Sequence, residues 1–110
     1  MGLTKTDFFT DKQNSIATMT KALGHPARIA IMEHLLKVNA CIGGDIVEHI
    51  GLAQATISQH LKELKAAGLI KGSIEGTSVC YCIDEKGVGK MAAYFTNITK
   101  RLESRNEKCC

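Results

Sequence analysis

Cysteines carry the most distinctive chemistry in this chain. Five occur among 110 residues, and the last two, Cys109 and Cys110, are adjacent. Basic residues lead up to this pair: Lys100, Arg101, Arg105 and Lys108. Positive neighbours favour the thiolate, which is both the nucleophile and the ligand of soft metals. Together with a third thiol from Cys41, the pair is predicted to offer sulfur ligands to arsenite, antimonite or another soft metal ion.

The same cysteines also have an interpretation without a ligand. The Cys109-Cys110 pair can belong to a disordered tail, and Cys41 can fill a small apolar space. An odd number of cysteines without a targeting signal argues against a framework of structural disulfides. The sequence therefore leaves a metal-binding set of thiols and a set of inert cysteines as alternatives.

Cys80 and Cys82 lie two residues apart in a predicted strand. Their side chains should therefore share one face, opposite Val79, Tyr81 and Ile83. One interpretation is a second thiol site. We expect instead that they fill the layer between the hairpin and the helices, because cysteine packs well where space is short.

The remaining reactive residues predict no zinc site and no enzyme. His25 precedes Pro26, His34 and His49 fall on different predicted helices, and His60 flanks the exposed face of a third. There is no glycine-rich phosphate loop of recognised spacing and no assembled Cys-His-acid set. We therefore expect a binding protein rather than a catalyst.

Two short helical patterns followed by a hairpin place most of these residues. Ile46, Val47 and Ile50 share one face of a first helix, and a turn at 51–53 precedes a second helix that begins at Gln54. Apolar residues at i, i+4 and i+7 define the buried side of the second helix: Ile57, Leu61 and Leu64. Its other side carries residues suited to the major groove of DNA: Gln54, Thr56, Ser58, Gln59 and Lys62. A polar stripe on any solvated helix is the alternative.

A β-hairpin is predicted after Gly68, a residue that commonly ends helices. The turn at Glu75-Gly76 separates two runs with apolar residues: Ile70 and Ile74, then Val79, Tyr81 and Ile83. Small or basic residues are expected at its tip, against a sugar-phosphate backbone: Lys71, Ser73, Thr77 and Ser78. An ordinary surface hairpin is the alternative.

Terminal helices over about 10–23 and 85–105 carry apolar seams. Thr10 and Gln13 form a capping box, and Asp84 is a good N-cap. The predicted dimer contacts are Ile16, Met19, Leu23, Val88, Met91, Phe95, Ile98 and Leu102. Packing within one chain against Ile29, Met32, Leu35 and Leu36 is the alternative. Residues 101–110 are expected to include a mobile tail.

Composition predicts a single domain over residues 1–110. Hydrophobic residues make up 45% of the chain, and there is one proline. No apolar run is long enough to span a bilayer and the N-terminus lacks a signal-peptide core, so we expect a cytoplasmic protein. The net charge is only +3. Charge alone would not identify a nucleic-acid partner, so backbone N–H groups and doubling by symmetry would have to contribute.

Three sequence motifs together resemble the ArsR/SmtB family of metal- and thiol-sensing repressors. They are Ala22-Leu23-Gly24-His25-Pro26-Ala27-Arg28, Ile57-Ser58-Gln59-His60-Leu61-Lys62-Glu63-Leu64 and Gly76-Thr77-Ser78-Val79-Cys80-Tyr81. The resemblance spans about residues 10–100. It implies a mainly α winged helix-turn-helix with a β-hairpin wing, forming a homodimer. It also implies a palindromic double-stranded DNA operator, bound without a cofactor and released when an effector binds.

The chain departs from that family in three places. Ala53 stands where members often carry a serine cap, a loss of about 1 kcal/mol. Cys41-Ile42-Gly43 keeps only the first thiol of the Cys-x-Cys pair found in many arsenic-responsive members. The C-terminal helix has no histidine for the zinc site of other relatives.

Three functions therefore remain in competition. The first is a repressor released by a soft metal(loid), for which arsenite is the preferred inducer. The second is a repressor of the same fold that responds to thiol oxidation or persulfides. The third is a winged-helix module that binds protein, for which the polar residues Thr56, Ser58 and Gln59 are less suited.

Overall fold

The computed structural model describes residues 8–37, 50–75 and 78–105. Its elements are, in chain order, α1 (Asp11–Leu23), α2 (Pro26–Lys37), α3 (Gln54–Ala66), β1 (Ile70–Glu75), β2 (Ser78–Ile83) and α4 (Glu85–Glu103). Ile50 is helical and half-buried, while residues 41–49 of the predicted first helix lie outside the described residues. The architecture agrees with the prediction of helices followed by a hairpin.

The predicted capping box begins α1. The Thr10 hydroxyl accepts from the Gln13 N–H, and the Gln13 side chain accepts from the Thr10 N–H, each over 3.0 Å. These reciprocal bonds satisfy N–H groups that the first turn leaves without helical partners. The prediction for the start of this helix is confirmed.

A Schellman motif ends α3. Gly68 has a φ of +80°, a conformation that costs little only for glycine. The Leu69 N–H donates to the Leu64 carbonyl and the Gly68 N–H to the Lys65 carbonyl, both over 3.0 Å. Leu64 and Leu69 are completely buried, so the turn that stops the helix also contributes to the core.

The two strands form an antiparallel hairpin in a defined register. Glu75 pairs with Ser78 and Ile70 with Ile83, and residues 76 and 77 lie outside the described residues. Lys71 pairs with Cys82, one step from the base of the hairpin. The prediction of Lys71 at the tip is therefore wrong, because β1 starts at Ile70 and the pairing continues for four more residues.

The core lies where α2, α3 and the base of the hairpin meet. Its largest fully buried side chains are Ile31, Ile57, Leu64, Leu69 and Ile70. Burying a side chain of this size contributes about 1.5–3 kcal/mol. The predicted core stripe of α2 needs correction, because Ile29 and Leu36 are exposed. They lie about 140–160° around the helix from Ile31, which faces the core.

The start of α4 is fastened to the end of α3. Asp84 caps α4 by accepting from the Lys86 N–H, and its own N–H donates to the Leu69 carbonyl over 3.0 Å. Gly87 is buried, and a Cβ at this position would collide with the Gly68 carbonyl. The backbones of α4 and of the α3 terminus therefore pack at a distance that only glycine permits.

The predicted dimer seam divides into a buried part and an exposed part. Two of the predicted dimer contacts, Ile16 and Met19, are buried within one chain. Val88 and Met91 pack against the core. Three large apolar residues of α4 remain exposed beyond it: Phe95, Ile98 and Leu102. Leu23 is half-buried and contacts the core.

The C-terminal helix ends within two residues of its predicted end at about residue 105. It continues to Glu103, so the first residues of the predicted tail at 101–110 are helical, and residues 106–110 lie outside the described residues. Among the helices described, none is long and apolar enough to cross a membrane.

The absent cap of α3 generates a stability prediction. Ala53 has the extended N-cap backbone but forms no side-chain hydrogen bond. Ala53→Ser should raise the free energy of unfolding by about 1 kcal/mol, since a serine hydroxyl can accept from an N–H group of the first turn. Urea denaturation at fixed protein concentration measures this. Ala17→Ser, in the exposed interior of α1, is the control and should lower stability by about 0.5 kcal/mol. No gain for Ala53→Ser would contradict the capping argument.

Candidate nucleic-acid interface

The polar residues of α3 that were predicted to contact DNA lie on its outer face. Its exposed side chains include Gln54, Thr56, Ser58, Gln59 and Lys62. Ile57, Leu61 and Leu64 are buried on the opposite side. Hydroxyl and amide groups therefore point outward from a helix whose back is held in the core. Such groups can exchange hydrogen bonds with base edges, and Lys62 can contact a phosphate.

No side chain of the first turn offsets the partial positive charge at the N-terminus of α3. Its first turn contains no acidic residue, and Ala53 places no side-chain acceptor on the terminal N–H groups. A helix N-terminus carries a partial positive charge, which an aspartate, a glutamate or a capping oxygen would offset. The end that bears Gln54, Thr56 and Ser58 is therefore suited to approach a phosphate backbone.

Gln59 forms a side-chain hydrogen bond on this face. Its amide Nε2 donates to the Glu63 Oε1 over 3.0 Å, one turn further along the helix. An exposed pair at this spacing contributes only about 0.2–0.5 kcal/mol. The cost of releasing Gln59 for a base contact is therefore small compared with a good amide-to-base interaction.

The other predicted contacts lie along the hairpin. Lys71 is exposed at its base, in β1 next to the end of α3. Ser73 lies in the middle of β1, paired with Cys80, while Thr77 lies outside the described residues. Lys71 therefore lies at the end of the hairpin next to the core, not at its tip.

Arg28 holds the back of α3 in place. Its Nε donates to the His60 Nδ1 over 3.0 Å, and its Nη1 donates to the Ala22 carbonyl at the end of α1 over 3.1 Å. One guanidinium therefore joins α1, α2 and α3. Sequence reasoning quoted Arg28 only as part of a motif, because nothing local to it reveals a partner 32 residues away.

His25 completes this junction. Its Nδ1 accepts from the Ala27 N–H over 3.0 Å, and this bond caps the start of α2, with Pro26 in the first helical position. Its ring lies 4.6 Å from the His60 ring, measured between centroids. In the motif from His25 to Arg28, His25 therefore caps α2 and Arg28 binds α3 through His60.

His60 is buried, not a flank of the exposed face as predicted. Only 7% of its surface is accessible, because it belongs to the side of α3 that carries Ile57 and Leu61. Burial lowers its pKa below the ordinary value of 6.5, and the nearby His25 and Arg28 lower it further. A neutral ring with an unprotonated Nδ1 is also what the Arg28 hydrogen bond requires.

The wing cysteines occupy a different position from the one predicted. Tyr81 and Ile83 pack against the core, so the alternating cysteines face the other way. Cys82 is an exposed free thiol, whereas Cys80 is half-buried and disulfide-bonded. The prediction that both fill the layer beneath the hairpin is wrong.

The predicted metal ligands Cys41, Cys109 and Cys110 lie outside the described residues. Within the segments 8–37, 50–75 and 78–105, no three His, Cys, Asp or Glu side chains come together as a metal site. The thiol set proposed from the sequence therefore stays a prediction.

Comparisons with known proteins identify the family of this chain. The family described as "Bacterial regulatory protein, arsR family" matches residues 25–71. The HTH-type transcriptional regulator CmtR of Mycobacterium tuberculosis is 29% identical over 93 residues, which cover 84% of this chain and 78% of CmtR. The HTH-type transcriptional regulator Rv0081 of the same organism is 30% identical over 88 residues, or 80% of this chain and 77% of Rv0081.

A solved structure shows the same fold. The homodimeric winged helix-turn-helix DNA-binding domain of a Mycobacterium bovis regulator superposes with a TM-score of 0.63 and 25% identity, covering 91% of this chain and 96% of that one. The fold and the exposed α3 define a winged helix-turn-helix regulator. The chain belongs to the ArsR family, whose members are DNA-binding transcriptional regulators rather than enzymes. The predicted family and fold class are confirmed.

The buried His60 generates a pH prediction. A histidine whose pKa is lowered by folding binds its proton more readily in the unfolded chain. Its contribution is therefore complete above pH 6.5 and is lost as the pH falls below 6.5 towards the lowered value. His60→Gln keeps an acceptor for Arg28 but cannot titrate, so its free energy of unfolding should decline less between about pH 7.5 and 5. Parallel pH profiles from denaturant unfolding of the two proteins would contradict this assignment.

Proposed function

We propose that this protein is a cytoplasmic homodimeric repressor that binds a palindromic DNA operator and releases it when an inducer reacts with its cysteines. The observation that carries the DNA-binding part is the outer face of α3. It exposes hydroxyl, amide and ammonium groups on a helix fixed from behind by Ile57, Leu61 and the Arg28–His60 hydrogen bond. A rigid support lets such a helix hold one orientation in a groove.

The length and polarity of α3 suit the major groove. Thirteen residues extend about 20 Å, and the groove is about 12 Å wide, enough to admit a helix. We assign base contacts to Thr56, Ser58 and Gln59. We assign phosphate and sugar contacts to the flanking residues: Gln54, Lys62, Lys71, Ser73 and Thr77.

The assignment of Gln59 and Lys62 predicts different defects. Gln59→Ala should weaken operator binding by about 1–3 kcal/mol per half-site, because it removes a base contact. Lys62→Gln should reduce the slope of log affinity against log salt concentration by about one unit per half-site, because one phosphate contact is lost. Fluorescence anisotropy with operator DNA at several salt concentrations measures both.

Glu63→Ala is the matched control for Gln59. It removes the carboxylate that holds the Gln59 amide and takes a negative charge away from the interface. Operator affinity should therefore stay the same or rise. If Gln59→Ala binds as tightly as the parent, or Lys62→Gln keeps the parent salt slope, the residue concerned does not contact DNA.

The exposed part of the α4 seam supports a dimer. Phe95 is 48% exposed, Ile98 36% and Leu102 56%, all on one side of the last three turns. A monomer would leave this stripe in water, whereas a second copy of α4 could cover it. The homodimeric M. bovis domain has the same fold. A two-fold dimer would present two α3 helices to successive half-sites, about one turn of DNA apart.

A charge in the seam tests the assembly. Ile98→Glu would bury an unpaired carboxylate in the interface, at a cost of about 3–5 kcal/mol, and should give monomers at micromolar concentration with little operator affinity. Sedimentation velocity measures the oligomeric state. Asn97→Glu places the same charge next to the seam on the same helix and should leave the dimer intact. A stable dimer of Ile98→Glu would exclude this interface.

The preferred inducer is a soft metal(loid) such as arsenite or antimonite. Adjacent thiols at Cys109 and Cys110 favour such an ion, since sulfur ligands select thiophilic metals. Cys41 is the proposed third ligand and precedes the predicted first helix of the helix-turn-helix motif. A ligand that joins Cys41 to the C-terminal pair would bind one arrangement of that motif better than another, as release of DNA requires.

One observation favours a second candidate, a repressor that responds to thiol oxidation or persulfides. Cys80 is disulfide-bonded, and two residues away Cys82 is an exposed free thiol. A disulfide that involves β2 would connect the wing to another part of the chain. Making or breaking it could therefore change how the wing meets the DNA backbone.

Cysteine variants separate the two inducers. Under the metal(loid) proposal, Cys41→Ser, or loss of Cys109 and Cys110 together, should preserve operator binding within about twofold and abolish release by arsenite, because the thiol set is incomplete. The double variant Cys80→Ser with Cys82→Ser is the control and should still respond. Operator release is measured with arsenite, cadmium and an organic persulfide. A response to persulfide alone, lost only in the Cys80 and Cys82 double variant, would establish the oxidation route instead.

A further inference from the structure

A hydrogen bond between two exposed side chains of α3 fixes the orientation of the Gln59 amide. The Gln59 Nε2 donates to the Glu63 Oε1 over 3.0 Å, one helical turn further along. An ionised carboxylate only accepts hydrogen bonds, so the NH₂ end of the amide is the end that can face it. The amide oxygen, Oε1, is therefore the end that is left for another partner.

One N–H and the carbonyl oxygen of the Gln59 amide remain available to a ligand. An amide carries two N–H bonds, and Glu63 takes one of them. Among the residues that the structure describes, none forms a hydrogen bond with the Gln59 Oε1. One turn earlier on the same face, Ala55 is exposed and offers only a methyl group, so it does not compete for the amide. The exposed amide thus presents one donor beside one acceptor.

Adenine is the base whose major-groove edge matches a donor beside an acceptor. It presents the N7 acceptor next to the N6 amino donor, so both remaining amide groups can bond to it. Guanine presents two acceptors, N7 and O6, and one of them would face the amide oxygen. Cytosine and thymine each offer a single hydrogen-bonding group. With one N–H held by Glu63, the amide therefore makes two bonds only with adenine.

The Glu63 carboxylate disfavours guanine for a second reason. It lies within hydrogen-bond distance of the Gln59 amide and is exposed on the same face of α3. A negative charge there repels the two acceptor atoms of guanine and attracts the amino group of adenine. Specificity is a difference between two affinities, so repulsion of the wrong base contributes to it along with attraction of the right one.

The other residues assigned to base contacts do not supply this selectivity. Thr56 and Ser58 carry hydroxyl groups, which can donate or accept and so can bond to either kind of group on a base. Of these three residues, Gln59 is the one whose hydrogen-bonding pattern is fixed by a neighbouring side chain.

We propose that Gln59 reads an adenine in each half-site of the operator and that Glu63 sets this preference. Glu63 is a positioning residue, because it occupies one N–H of the amide and repels guanine without itself contacting the base. The inference rests on the proposed contact between the outer face of α3 and DNA. It adds the identity of one base to that contact.

Selection of binding sites from a random duplex DNA library by the intact protein tests the inference without a known operator. Sequencing of the bound fraction gives the base preference at each position. One position in each half-site should favour adenine over guanine by about fivefold or more. Gln59→Ala should remove the preference at that position alone, because the other base contacts persist.

Modified bases in a selected site identify the atoms involved. Replacing the preferred adenine by 7-deazaadenine removes the N7 acceptor, and replacing it by unsubstituted purine removes the N6 amino group. Each change should weaken binding of the parent protein by about 2- to 12-fold, which corresponds to the loss of one hydrogen bond. Neither change should alter the affinity of Gln59→Ala. Fluorescence anisotropy measures these affinities.

Variants of Glu63 separate its role from a general loss of negative charge. Glu63→Ala should lower the adenine-to-guanine ratio by about twofold or more, because guanine is no longer repelled and the amide is free to rotate. Glu63→Gln keeps an acceptor for the amide without the charge and should restore part of the ratio. Glu33→Ala removes an exposed carboxylate from α2 and should retain the parent ratio.

The outcomes distinguish this inference from the DNA-binding proposal on which it rests. Enriched sites in which no position responds to Gln59→Ala, or in which the responding position prefers another base, would overturn the adenine assignment and leave DNA binding in place. Equal ratios for the parent and Glu63→Ala would overturn the role of Glu63. A library from which no sequence is enriched would overturn both the inference and the proposed operator binding.

Discussion

The guanidinium of Arg28 holds together three helices that are distant in sequence. It binds a carbonyl at the end of α1 and a ring nitrogen of α3, while its own backbone belongs to the first turn of α2. Its fork of N–H groups makes this possible, because several donors in one rigid plane can reach different acceptors. The orientation of α3, and with it the direction in which Thr56 and Gln59 face, depends on this junction.

A second set of backbone contacts links the end of α3 to the hairpin and to α4. The Schellman turn after α3 buries Leu69, and the Leu69 carbonyl accepts from Asp84 at the end of the hairpin. Gly87 then packs directly on Gly68. Backbone contacts this close leave little room for α4 to slide against the end of α3.

The C-terminal helix combines core packing with an exposed apolar stripe. Val88 and Met91 pack against the core near the start of α4, whereas Phe95, Ile98 and Leu102 further along the helix are exposed. Because residues three and four apart share a helix face, these three residues continue the same apolar stripe beyond the core. One end of α4 is therefore anchored in the core, and the other end is the proposed assembly surface.

Local pattern was sufficient to locate the elements of this fold. The Thr10 capping box, Asp84, Gly68 and the apolar spacing of α3 depend on neighbours within about five residues, so the chain order reveals them. The same pattern identified the exposed residues of α3 and the family. Contacts across the chain were decided only by the tertiary structure. The hydrogen bond between Arg28 and His60, the packing of Met19 within one chain and the choice of the hairpin face that meets the core each depend on how distant elements pack, which local pattern does not reveal.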